Sequence, residues 1–123
     1  MIKYEIKATS GEHPVPVVVF DDEGYDLLGE FLLAERSFRR EILSQINEVD
    51  LNLSEKECFT GNAFTLETNK STCKIISNIN GGELVLDTAD FKQILLDYIY
   101  ALREIKVMEK MKSHEHHHHG HHE

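Results

Sequence analysis

The chain has 123 residues and a formal net charge of −9 at pH 7, and 41% of its residues are hydrophobic. That length and apolar content suit one folded domain and exclude wholesale disorder. A net negative protein repels nucleic acids and anionic membrane surfaces, whereas it attracts basic proteins.

The chain opens with two segments that have β-strand patterns. Ile2, Tyr4 and Ile6 alternate with charged residues, as in a half-buried strand, and residues 15–20 form a second, mostly apolar run. Turn-forming residues at 10–14 separate the two segments. The sequence therefore predicts an N-terminal β-hairpin.

A helical segment is expected next. Apolar residues recur at helical spacing between residues 28 and 49. Arginines at 36–40 interrupt the pattern midway, so it is compatible with one long helix or with two shorter ones. Asp21 or Asp22 is expected to cap the start of the helical segment, because a short acidic side chain can accept the free N–H groups there.

The second half is expected to be mainly β-structure followed by a helix. Short β-like segments are separated by Gly and Asn turns, and they span 57–60, 63–67, 72–77 and 83–86. A last helix begins at Asp87 or Thr88. The pattern predicts an α+β fold in the order β-β-α-β-β-β-α, with a further strand optional in the second group and helices packed on an antiparallel sheet. Residues 1–112 would form a single α+β domain and residues 113–123 a flexible His-rich tail.

The two cysteines, Cys58 and Cys73, lack metal-ligand spacing and are predicted to lie in neighbouring strands. That placement makes a disulfide conceivable. Reduced thiols that pack as small apolar groups are the favoured interpretation.

The N-terminal residues alternate polar and apolar side chains and lack the apolar core of a signal peptide. No apolar run approaches the length that crosses a membrane. The expected location is therefore the cytoplasm, with no membrane partner.

The tail is the most conspicuous motif of the chain. It contains seven of the eight histidines, namely His114, His116, His117, His118, His119, His121 and His122. Neutral imidazoles at this density chelate nickel, zinc or copper. A purification tag and a native metal-binding tail both fit the pattern, and no cofactor is expected for the folded domain.

Negative charge is concentrated near the N-terminus. Residues 1–35 carry two basic and eight acidic side chains, whereas residues 36–112 carry 11 basic and 12 acidic ones. The candidate partner-binding residues lie in this first third, and we call them the acidic cluster: Asp21, Asp22, Glu23, Tyr25, Asp26 and Glu30. The carboxylates are compatible with helix capping, with an ordinary solvated surface and with a docking face for a basic protein. In the docking interpretation, Tyr25 would be an aromatic anchor.

Calcium binding and catalysis receive little support from the residues. An EF-hand loop needs oxygen ligands at positions where this segment has Leu27 and Leu28. Outside the tail, none of the GxSxG, P-loop, GxGxxG or HExxH motifs is present, and His13 is the only histidine there. The sequence predicts no enzyme and no catalytic residues.

Several segments together resemble a known family. They are the opening MIKYEIK, LLGEFLLAE at 27–35, FTGNAFTLE at 59–67, a Gly-rich turn, ELVLDT at 83–88, and a closing helix through Phe91, Leu95 and Tyr98. Over residues 1–110 the chain resembles the small immunity proteins of bacterial contact-dependent growth inhibition and related polymorphic toxin systems.

The resemblance implies that the chain binds and neutralises a cognate toxin domain, often a nuclease, in a stoichiometric complex. A nuclease presents a basic cleft to phosphates, which an acidic protein can occupy or flank. The expected partner is thus a basic toxin and not a nucleic acid, and the chain itself would be a monomer or weak dimer. A metal-binding protein that uses the tail, a small structural or interaction domain, and an unrecognised enzyme are the alternatives.

Overall fold

A computed structural model describes the backbone of residues 1–121 and the side chains of residues 1–112. The elements are β1 (Tyr4–Ala8), β2 (Pro16–Phe20), α1 (Asp26–Ala34), α2 (Arg39–Asp50), β3 (Lys56–Thr60), β4 (Phe64–Asn69), β5 (Thr72–Ser77), β6 (Glu83–Asp87) and α3 (Thr88–His121). The predicted α+β class is confirmed, and the optional additional strand is present. Within the described residues, no helix combines the length and the apolar character that a membrane crossing requires.

The N-terminal hairpin forms as predicted. β1 and β2 pair antiparallel with Tyr4 opposite Phe20 and Ala8 opposite Pro16. Pro16 lacks an N–H group and occupies the first position of its strand, where a missing donor costs least. These two strands form a sheet of their own instead of joining the other strands.

The other sheet is a four-stranded antiparallel meander in the order β3-β4-β5-β6. Side chains alternate between its two faces, so Leu66 and Ile75 are fully buried under the helices, whereas Thr65 and Lys74 are only half-buried on the opposite face. The predicted helices on an antiparallel sheet are therefore observed, with two sheets in place of one.

The central helical segment is two helices and not one. α1 ends at Ala34, a 3₁₀ turn spans Arg36–Phe38, and α2 begins at Arg39. Glu35 leaves the helical conformation at the junction, with φ −106° and ψ 16°. The interruption allows α1 and α2 to pack on different parts of the same core.

One hydrophobic core joins both sheets and the helices. Its members have in common that their side chains are less than a tenth exposed, and they are Val18, Phe20, Leu28, Phe31, Leu32, Ile42, Ile46, Phe59, Phe64, Leu66, Cys73, Ile75, Leu86, Phe91, Ile94, Leu95 and Tyr98. Aromatic rings pack against one another at its centre. The ring centroid of Phe31 lies 5.8 Å from that of Phe64 and 5.9 Å from that of Phe91.

The prediction that the cysteines lie in neighbouring strands is wrong. Cys58 is in β3 and Cys73 is in β5, and β4 lies between them. In β4, Glu67 is opposite Cys58, and the next residue, Thr68, is opposite Cys73. Adjacent residues of a strand point to opposite faces, so Cys58 is exposed and Cys73 is buried. Both thiols are free, in agreement with the favoured interpretation.

Candidate partner-binding site

The acidic cluster occupies the junction between β2 and α1. β2 ends at Phe20, a 3₁₀ turn spans Glu23–Tyr25, and α1 begins at Asp26. The Oδ1 atom of Asp22 accepts the backbone N–H of Gly24 at 2.8 Å. Asp22 thus caps the helical segment as predicted, although the element that it caps directly is the 3₁₀ turn.

The backbone beneath the cluster is held firmly. The Phe20 ring lies 5.8 Å from the ring of Tyr25 and 5.9 Å from that of Tyr4, so three aromatic residues form a row under the turn. In α1, Leu28 is fully buried, and Gly29 lies so close to β2 that an added Cβ would be 3.1 Å from the carbonyl oxygen of Val18. The exposed carboxylates therefore project from a fixed surface.

All five carboxylates of the acidic cluster are exposed. The ion pairs among the described side chains join Lys7 to Glu5, Lys74 to Glu83, and Lys92 to Asp50, so none of them neutralises the cluster. Asp26 and Glu30 are one helical turn apart and lie on the same face of α1. The cluster offers ammonium and guanidinium groups of a partner several acceptors that need no internal bond to be broken.

Tyr25 differs from its neighbours. Its side chain is half-buried and packs against the core through Phe20. Only part of its ring is available to a partner. Its main role in the folded chain is to support the turn, which restricts the predicted function of an aromatic anchor.

Sequence reasoning missed the most constrained carboxylate, Glu35. Its side chain is 1% exposed and accepts three backbone N–H groups of the β3–β4 turn, from Asn62 at 2.7 Å, Ala63 at 2.8 Å and Phe64 at 3.0 Å. A signal was present in the sequence, because Glu35 continues the apolar line of Leu28 and Leu32 at helical spacing. An acidic residue on a buried stripe indicates a buried acceptor.

Two tyrosine hydroxyl groups fasten α3 to the hairpin. Tyr98 donates to the carbonyl oxygen of Pro16 at 2.9 Å, and burial raises the pKa of Tyr98 to about 12. Tyr4 donates to the carboxylate of Asp97. Burial, followed by that hydrogen bond and the negative charge, raises the pKa of Tyr4 to about 12. The hairpin that leads into the acidic cluster is therefore fixed at both of its ends.

The predicted metal ligands are confined to the tail. Their side chains lie outside the described part of the chain, which ends at Lys112 for side chains. Among the described residues, no three His, Cys, Asp or Glu side chains converge as a metal site would require.

Comparison with known proteins found no match: no protein-family model, no curated protein and no solved structure is significantly similar to the chain. The function is therefore inferred from the geometry and charge of the site and from the resemblance to immunity proteins.

Proposed function

We propose that this chain is an immunity protein that neutralises a basic toxin domain by forming a stoichiometric complex with it through the acidic cluster. The favoured toxin is a nuclease. The observation that carries the proposal is the exposure of five carboxylates on one rigid β2–α1 junction, with no ion pair from the described lysines and arginines.

The electrostatics favour this partner. Charges of one sign on a preformed surface accelerate encounter with a partner of the opposite sign, and the effect falls as salt screens the charges. Because the junction is already ordered by Asp22 and the aromatic row, binding would cost little conformational entropy. A nuclease active site carries positive charge to hold phosphates, so an acidic protein can block it without any catalysis of its own.

The resemblance to immunity proteins supports the biological role, and the charge supports the surface. Members of that group use different surfaces to bind their toxins, so the binding residues are proposed from this structure alone. Because α1 is fixed against β2 by Gly29, the surface would be used largely as it is in the free protein.

The direct test is protection of cells. The chain is coexpressed with the toxin domain encoded by the gene immediately upstream, and survival is compared with that of cells carrying Glu23→Lys/Glu30→Lys. We expect wild type to restore growth and the variant to lose protection. A control with the same net charge, Glu12→Lys/Glu55→Lys, changes exposed side chains outside the cluster and should protect fully. Equal protection by both variants would remove the acidic cluster from the proposal, and failure of wild type would remove the immunity function.

A further inference from the structure

α3 extends past the body that it packs against. Tyr98 is the last of its residues in the buried core, Leu102 and Ile105 are half-buried, and every residue from 106 to 112 is exposed. A helix end without neighbours is normally polar. This one carries a second apolar line.

That line consists of Leu96, Tyr100, Val107 and Met111, and we call it the outer stripe. These side chains are 39%, 62%, 50% and 64% exposed. Spacings of four, seven and four residues place them in one row about 22 Å long. The row lies on the opposite side of α3 from Tyr98, which faces the core.

Opposite charges border the outer stripe on its two sides. With about 100° between successive residues, Arg103 and Lys110 fall along one border, and Asp97 and Glu104 fall along the other. Arg103, Glu104 and Lys110 take part in none of the ion pairs of the described side chains. Apolar residues bordered by charges of this kind are the arrangement that paired helices use.

We propose that the outer stripe is a homodimer interface in which the α3 helices of two copies pack side by side in parallel. A twofold axis parallel to the helices brings the basic border of each copy against the acidic border of the other. Arg103 of each copy therefore faces Glu104 of the other. An antiparallel pair would set basic against basic and acidic against acidic.

The geometry of the body permits this pairing. Each body packs mainly on the side of α3 that carries Tyr98, and Tyr4 reaches the acidic border only at Asp97. Arg103, Glu104 and residues 106–112 are exposed, so pairing over this part of the stripe leaves the two bodies on the outside of the helix pair. The stripe is short and the contact small, which predicts a weak dimer that forms with increasing concentration.

Sedimentation of the full chain at low ionic strength tests the interface. We expect the mean mass to rise with concentration towards that of a dimer, and Tyr100→Glu or Val107→Glu to restore a monomer. The matched control is Ile79→Glu, since Ile79 is 82% exposed in the β5–β6 turn and is not part of the outer stripe. All three substitutions are at exposed positions, and circular dichroism verifies folding. A monomeric wild type would overturn the proposal, as would equal weakening by Ile79→Glu.

Charge exchange tests the orientation. Arg103→Glu and Glu104→Arg should each weaken the dimer severalfold, whereas the double variant should recover it, because each new charge again faces its opposite in a parallel pair. A double variant as weak as the single ones would overturn the parallel arrangement. Oxidation of Tyr100→Cys in a Cys58→Ala background gives a second readout, because the two introduced thiols are adjacent only in a parallel pair. A wild type that stays monomeric but binds vesicles of anionic phospholipid would assign the stripe to a membrane surface instead.

Discussion

The carboxylate of Glu35 accepts a hydrogen bond from the backbone N–H of Asn62 at 2.7 Å, although 27 positions separate the two residues in the chain. The same side chain also accepts the N–H groups of Ala63 and Phe64. One buried acidic residue at the end of α1 therefore determines the path of the β3–β4 turn and joins the helical half of the molecule to the meander.

Replacing Glu35 should destabilise the fold strongly. Glu35→Ala leaves three N–H groups without their acceptor in a buried region, and we expect a loss of about 3 kcal/mol in the free energy of unfolding. Glu35→Gln should cost less, because one acceptor oxygen remains. Urea denaturation monitored by circular dichroism measures both, with Glu55→Ala as an exposed control. Indistinguishable midpoints for Glu35→Ala and the control would contradict the role assigned to Glu35.

Gly61 is required by the same contact. An added Cβ there would overlap the carboxylate of Glu35 and come within 2.8 Å of Cε2 of Phe59, so Gly61→Ala should lower the urea midpoint. The control is Gly82→Ala, whose Cβ would meet the end of the Asn80 side chain at 3.1 Å and Cδ1 of Leu27 at an ordinary contact distance of 4.0 Å. Because Glu35 is the main obstacle, the effects of Gly61→Ala and Glu35→Ala should be less than additive in the double variant. Strict additivity would show that the two residues act independently.

Stability should fall in alkaline solution. Both Tyr4 and Tyr98 have a pKa raised from 10 to about 12 in the folded chain, so folding favours their protonated forms. Their contribution is complete below pH 10 and is lost as the pH rises towards 12. Unfolding free energies measured across this range should decline less steeply for Tyr4→Phe than for wild type. Tyr100→Phe, at an exposed position, is the control and should leave the slope unchanged. If the slope for Tyr4→Phe also equalled that of wild type, the buried hydroxyl of Tyr4 would not contribute to the loss of stability.

The two thiols should differ greatly in reactivity. Cys58 is exposed, whereas Cys73 is fully buried and burial raises the pKa of its thiol, which disfavours the reactive thiolate. We expect a thiol reagent to modify one group per native chain and two per unfolded chain. Cys58→Ser should abolish the native reaction almost completely. Rapid modification of that variant would show that β5 is more accessible than its packing indicates.

Local patterns predicted the elements of this fold well, because each pattern reflects the surface that a short segment presents. Alternation in residues 2–6 and the β-like segment at 72–77 predict strands close to the observed bounds, and the expected cap, Asp21 or Asp22, is Asp22 in the structure. The division into two sheets was not predictable in this way, since it depends on how the N-terminal hairpin packs against α1 and α3. The separation of Cys58 from Cys73 by β4 likewise depends on the register of the whole meander.

The candidate site was predictable in composition and not in detail. The acidic cluster was evident from charge alone, and the structure adds that its carboxylates are exposed and outside the ion pairs of the described side chains. The half-burial of Tyr25 was not predictable, because it results from the position of Phe20 at the end of β2. Glu35 continues the apolar line of Leu28 and Leu32, which indicated burial, but its three hydrogen-bond partners were not predictable because they lie in a distant turn.

The rate of association with the toxin domain tests the central claim most directly. Stopped-flow measurements at low and high salt would compare wild type with Glu23→Lys/Glu30→Lys and with the control Glu12→Lys/Glu55→Lys, which has the same net charge. If the acidic cluster steers the partner, the first variant should associate at least about tenfold more slowly than the control at low salt, and high salt should reduce the difference. Equal rates for the two variants at low salt would contradict a docking role for the acidic cluster.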